Sequence, residues 1–133
     1  MRRQLRVLLA EDEALVALAL ADCLEAEGHE VTVAADGAEA LAMARGLGRL
    51  DLLVTDLRMP RLGGEGLIRA LWAERPGLPV LVVTGSAPPG GAEALRREVG
   101  DGGPLALLHK PIEYDALAGA LRRLAEPAFA RAA

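Results

Sequence analysis

The chain has 133 residues, 52% of them hydrophobic, and a formal net charge of −4, so it is near the commonest size for one domain and apolar enough to bury a core. Aromatic residues make up only 2%. Stacking platforms for bases are therefore scarce and the acidic balance opposes a phosphate backbone, which argues against nucleic-acid binding. A lone cysteine, Cys23, rules out an intrachain disulfide and fits a small apolar position on a helix face. The basic, apolar opening MRRQLRVLLA starts like a signal peptide but is cut short by Glu11, Asp12 and Glu13, and no run is long enough to span a membrane. The expectation is a cytoplasmic protein with one domain over residues 1–126 and a short tail over 127–133.

Leu5 to Ala10 is a first apolar run of strand length, ended by the acidic triplet. Leu15, Val16, Ala19, Leu20, Cys23 and Leu24 then recur at helical spacing up to a stop at Gly28. Glu30 to Ala35 alternates and is rich in β-branched residues, which predicts a more exposed second strand. Asp36 and Glu39 have the spacing of a capping pair for a helix through about Arg45. Leu52 to Thr55 is a third apolar run, ending at Asp56, and Met59-Pro60 forces the chain out of the sheet just beyond it. A turn with Gly63 and Gly64 leads to a helix from about Glu65 to Glu74, with Leu67, Ile68 and Leu71 inward.

Val80 to Thr84 is a fourth buried strand, followed by the Pro- and Gly-rich loop 85–91 and a short helix over about Ala92 to Val99. Leu105 to Leu108 is the fifth strand, ending at His109, Lys110 and Pro111. The last helix is expected from about Glu113 to Leu124, stopped by Pro127. Strands alternating with helices throughout predict a doubly wound α/β fold, a parallel sheet with helices on both faces. The least apolar strand, the second, belongs at an edge, which favours the flavodoxin-like order 2-1-3-4-5.

In such sheets ligands bind at the carboxyl ends of the strands. Here those ends carry Glu11 and Asp12, Asp56, Thr84 and Lys110. A strand-end carboxylate alone is most often a turn former or a cap. Several converging on one edge repel one another unless a cation joins them, and hard oxygen donors suit Mg²⁺. Lys110 is the chain's only lysine in an otherwise arginine-based set of cations, and a compact ammonium suits a phosphoryl oxygen. Together the set fits attack of an Asp56 carboxylate oxygen on phosphorus.

VLLAEDE, LLVTDLRMP with Gly64, VVTG and HKP occur in that order, and over essentially its whole length the chain resembles the receiver domains of two-component response regulators. The resemblance implies a CheY-like (βα)5 three-layer sandwich in which Asp56 accepts phosphate from a histidine kinase or a histidine phosphotransfer protein. It further implies that Asp12, Asp56 and the backbone carbonyl of Arg58 hold Mg²⁺, with Glu11 acting through a bound water. Thr84 and Lys110 would bind the phosphoryl group, and the Lys110-Pro111 bond would be cis, a rare geometry. Signalling would pass to an unidentified downstream protein through the face of the fourth helix, fifth strand and fifth helix, with no nucleic acid or membrane engaged directly. Such a protein turns over no separate substrate; it phosphorylates and dephosphorylates itself.

Three departures accompany the resemblance: Leu107 stands where many receivers carry Tyr or Phe, Gly85 follows Thr84 in place of Ala, and the stretch from Thr84 to Lys110 is long and rich in Pro and Gly, which should shorten the fourth helix. Arg58 and Ser86, each two residues beyond a site position, are expected to tune hydrolysis of the phosphoryl group. A haloacid-dehalogenase-type phosphatase needs a second acid where Arg58 stands, and a phosphate-independent pseudo-receiver would not need Asp56, Thr84 and Lys110 together. His29 and His109 lack metal-ligand spacing and are expected to face solvent. The sequence reading therefore favours a stand-alone receiver acting as a phosphorylation switch, phosphorelay intermediate or phosphate sink, with a receiver cut from a longer hybrid kinase or regulator as the alternative.

Overall fold

A computed structural model describes residues 4–132, with side-chain surroundings through residue 124. The elements are β1 (Arg6–Ala10), α1 (Ala14–Ala26), β2 (Glu30–Ala34), α2 (Gly37–Gly46), β3 (Leu52–Thr55), α3 (Gly64–Glu74), β4 (Val80–Thr84), α4 (Gly91–Val99), β5 (Leu105–His109) and α5 (Tyr114–Ala132). The five strands are all parallel, in the order β2-β1-β3-β4-β5. β2 takes one edge, as its sparser apolar content predicts.

Period-two alternation along the strands divides the core between the two sheet faces. Leu8, Leu53, Val80 and Val82 point to one side, where they meet Ala40 and Ala44 of α2, Leu67, Ile68, Leu71 and Trp72 of α3, and Leu95 and Val99 of α4. Val7, Leu9, Leu52, Val54, Leu81 and Val83 point to the other, against Leu20, Ala21 and Leu24 of α1 and Leu117, Ala120 and Leu121 of α5. Continuous apolar strands are what a sheet covered on both faces requires. Trp72 ties α3 to the start of β4: its indole N–H donates to the Leu78 carbonyl at 2.7 Å, and Gly102 and Gly103 lie against the ring.

The Asp36 carboxylate accepts the Glu39 N–H at 2.8 Å, which is the expected cap on α2. α4 has nine residues, the shortest of the helices, as the Pro- and Gly-rich segment before it predicts. Three other expectations need correction. In α1 the buried residues are Ala17, Leu20, Ala21 and Leu24, whereas Leu15, expected inside, is 83% exposed and Ala19 is exposed too. α1 is apolar almost all the way round, so periodicity alone does not fix its phase; Ala17 and Ala21 do, because small side chains let the helix approach the sheet. α5 does not stop before Pro127 but runs to Ala132. Proline's fixed φ is itself compatible with a helix, although an interior proline costs one donor and crowds the carbonyl four residues back. His29 is half-buried rather than solvent-facing, its Nδ1 accepting the Leu5 N–H at 3.0 Å; His109 is exposed. Among the described residues no helix is long and apolar enough to cross a membrane.

The phase of α1 is open to a direct comparison. Leu20→Ala should lower the unfolding free energy by about 2–5 kcal/mol in urea titrations. Leu15→Ala on the same helix should change it by no more than about 0.5 kcal/mol.

Candidate functional site

The parallel register brings the ends of β1, β3, β4 and β5 to one edge of the sheet. Backbone hydrogen bonds continue past β1, β3 and β5 and lock the first residue beyond each of these three. The Asp56 N–H donates to the Ala10 carbonyl at 3.1 Å, and the Lys110 N–H to the Thr84 carbonyl at 2.9 Å. Glu11 is anchored in turn by its N–H on the Ala34 carbonyl of β2 at 3.1 Å. The functional side chains are thus carried by rigid strand ends, and the loops supply the rest. The Lys110-Pro111 peptide bond is cis, as the resemblance implies.

Asp56 is 6% exposed and held from both sides. Its Oδ1 accepts the Leu57 N–H at 2.6 Å, and its Oδ2 accepts from Lys110 Nζ at 2.8 Å. Gly64 is required by close approach, not by an unusual φ: a Cβ there would lie 2.3 Å from the Asp56 carbonyl oxygen. Lys110 Nζ also sits 2.8 Å from Glu11 Oε1 and 3.4 Å from Glu13 Oε1. Thr84 is fully buried, and its Oγ1 accepts the Ser86 N–H at 3.1 Å.

Burial opposes the charge on Lys110, but its close polar contacts with Asp56 and Glu11, and the attraction of both carboxylates, outweigh it and hold the ammonium above the ordinary lysine range. Glu11 is shifted upward as well, for a different reason. Its carboxyl is raised chiefly by burial, and the nearby Asp56 charge adds to the shift against the pull of Lys110 and of the Glu13 N–H.

The three carboxylates of Glu11, Asp12 and Asp56 present oxygens all within 4.8 Å of one another. They face a single ammonium, so two negative charges at this spot lack a counter-charge. Glu11 Oε1 is buried without a directed hydrogen bond, despite its short distance to Lys110. A buried acceptor of this kind is costly unless something else meets it. An all-oxygen donor set, excess negative charge and a buried oxygen met only by an ammonium shared with Asp56 together fit a small divalent cation such as Mg²⁺.

Beside the carboxylates opens a cleft of about 220 Å³ lined by Asp12, Glu13, Asp56, Arg58, Thr84, Gly85, Ser86 and Lys110. Every site residue read from the sequence lies in the cleft wall or, for Glu11, directly behind it in contact with Lys110. Arg58 is exposed at the rim. In the sequence Glu13 reads only as part of an acidic run ahead of a helix. The structure brings it to Lys110 across nearly the whole length of the chain, a contact whose one local signal was its place next to Asp12.

A buried carboxylate beside a fixed ammonium, a buried hydroxyl and a cluster of acids that could hold a cation thus meet at the carboxyl edge of a (βα)5 sheet. Comparison with known proteins identifies that fold. The family model described as the response regulator receiver domain matches residues 7–122. A response regulator receiver protein of Anaeromyxobacter sp. (strain Fw109-5) is 42% identical over 107 residues, 80% of this chain and 43% of its own. The transcriptional regulatory protein PdtaR of Mycobacterium tuberculosis is 37% identical over 117 residues, 87% of this chain and 54% of its own. Among solved structures, the chemotaxis protein CheY4 of Vibrio cholerae superposes with a TM-score of 0.80 at 28% identity, covering 92% of this chain and 99% of CheY4. The chain belongs to the response regulator receiver domains of two-component signalling. It spans about half the length of the curated relatives it matches.

The cation site makes a thermodynamic prediction. Mg²⁺ at ten times its dissociation constant should raise the unfolding free energy by about 1.4 kcal/mol. Asp12→Asn, which removes one donor, should cancel most of that increment in the same denaturation experiment.

Proposed function

We propose that this receiver takes a phosphoryl group on Asp56 from the phosphohistidine of a histidine kinase or phosphotransfer protein and so works as a phosphorylation switch in the cytoplasm. The observation that carries this reading is the Lys110 ammonium 2.8 Å from Asp56 Oδ2 in an open cleft beside the acid cluster. In the transfer an Asp56 carboxylate oxygen forms the new O–P bond while the P–N bond to the donor histidine breaks. The departing imidazole keeps the bonding electron pair and takes up a proton. Lys110 is placed to meet one phosphoryl oxygen as charge builds on it. Thr84, whose oxygen already accepts from Ser86, keeps its own O–H hydrogen to donate to another.

Asp12, Asp56 and the Arg58 carbonyl would hold Mg²⁺, with Glu11 acting through a water. Bound there, the cation neutralises charge on the phosphoryl oxygens and screens the carboxylates from the incoming anion. The protein turns over no separate substrate. Its chemistry is confined to its own aspartyl phosphate, which Arg58 and Ser86, both in the cleft wall, tune by their reach to an attacking water.

Output depends on the position of Thr84. Drawing its hydroxyl towards a phosphoryl group pulls on the loop that begins at Gly85 and enters α4 through Gly90 and Gly91, both at positive φ. The face of α4, β5 and α5 is then remodelled for a downstream protein. Leu107, in the place of the aromatic found in many receivers, is half-buried against the α4 side of the core. Thr84 and the loop, rather than an aromatic rotamer, therefore carry the change.

Intact mass after incubation with Mg²⁺ and acetyl phosphate tests the reading. Wild type should gain one phosphoryl group, and Asp56→Asn or a chelator should abolish the gain; a folded wild type that is modified neither by acetyl phosphate nor by a phosphorylated kinase overturns it. Replacing both Arg58 and Ser86 by Ala should change the rate at which the phosphoprotein decays, read by the same method.

A further inference from the structure

The loop between β3 and α3 contains a backbone feature that the sequence does not announce. Arg61 has φ +70°, the one positive φ at a residue other than glycine among the described residues. The Leu62 N–H donates to the Pro60 carbonyl at 2.8 Å, so Arg61 is the central residue of a three-residue γ-turn in its rare, strained form. The neighbouring glycines do not take this role, and Gly63 has φ −75°. A side chain in a left-handed conformation persists only where its surroundings over-determine it.

Here the surroundings are the amino-terminal end of α2. Arg61 Nε and Nη2 donate to the two carboxylate oxygens of Asp36, at 3.1 and 3.2 Å, a fork meeting a fork. Asp36 is not free to follow Arg61, because its Oδ1 also accepts the Glu39 N–H that caps α2. The loop backbone rests directly on the helix. A Cβ on Gly37 would lie 1.9 Å from the Leu62 carbonyl oxygen.

This pair lies outside the cleft, yet the chain between it and the site is short. Leu57 is fixed to the site by its N–H on Asp56 Oδ1, and its carbonyl accepts the Gly64 N–H at 2.9 Å. Between Leu57 and Arg61 stand Arg58, Met59 and Pro60, and proline's φ is fixed. With both ends held, the position at which Arg61 is pinned limits the orientations open to the Arg58 peptide. Met59 and Leu62 pack against the core and supply further anchorage, so loss of the pair loosens the segment without releasing it.

We propose that Asp36 and Arg61 form a positioning clamp for the cation site: the ion pair holds the strained turn, and the turn aims the Arg58 carbonyl at the metal. The inference rests on the reading of Arg58 as a ligand given above. The clamp touches neither metal nor phosphoryl group and acts through the loop backbone. Exposed ion pairs contribute little to global stability. Its effect therefore appears in metal affinity and not in folding.

The test is Mn²⁺ binding to the full chain, followed by the loss of the free-ion electron paramagnetic resonance signal. Two variants cut the clamp from opposite sides while sparing local structure. Asp36→Asn keeps an equally good helix cap but loses the fork for Arg61. Arg61→Gly removes the guanidinium yet suits the left-handed turn. Each should weaken Mn²⁺ binding about tenfold, the low end for residues that orient metal ligands from behind. The double variant should be no weaker than either single one, and urea midpoints should stay close to wild type. Unchanged affinity in both single variants, or losses that add in the double variant, overturns the clamp. If wild type itself binds no Mn²⁺, or binds it equally well as Asp12→Asn, the cation-site reading fails first and the clamp falls with it.

Discussion

Lys110 stands at the end of the last strand with its ammonium against two buried carboxylates, Asp56 and Glu11, that come from two other strands. Removing that ammonium would leave two buried anions facing each other and a third, Asp12, beside them. Supplying only that ammonium leaves the cluster too negative. The rest of the site is arranged around this imbalance. A cleft opens where an anion would approach, a buried hydroxyl faces it from Thr84, and Glu11 keeps an oxygen with no directed donor. Electrostatic tension at the edge of a rigid sheet leaves a site that a cation would relieve, which is the basis of the proposed phosphoryl chemistry.

Rigidity comes from the parallel sheet. Each central strand is apolar on both faces because helices cover both, and the register brings the carboxyl ends of the strands to one edge. A slip of one residue would exchange the two core faces and at the same time turn Asp56 away from Lys110. Folding and site geometry therefore depend on the same register. The glycine-rich part lies outside the strands, in loop 85–91 and the short α4, where glycines at positive φ precede and begin the helix.

Much of this was legible in the chain itself. Apolar runs that stop at an acid, a hydroxyl or a lysine mark both the strands and the site, because a buried strand must end where polar groups can reach the edge. The edge position of β2 followed from its alternation, and the α2 cap from Asp36 and Glu39. The phase of α1 was not legible, since leucines and alanines surround that helix and the choice between faces is made by steric approach to the sheet. Pro127 looked like a stop because proline removes a donor, but its φ does not forbid a helix. Half-burial of His29 depends on Leu5, and the roles of Glu13 and Arg61 depend on Lys110 and Asp36. Such pairings belong to the fold, and beyond the place of Glu13 next to Asp12 nothing local in the sequence points to them.

The measurement that tests the account most directly is a crystal structure of the protein with Mg²⁺ and beryllium trifluoride, a stable mimic of a phosphoryl group. The account expects beryllium bonded to an Asp56 carboxylate oxygen, with Lys110 Nζ and Thr84 Oγ1 each within about 3.2 Å of a fluorine. Beryllium on another carboxylate, or Lys110 and Thr84 both out of hydrogen-bond reach of the bound group, would contradict it.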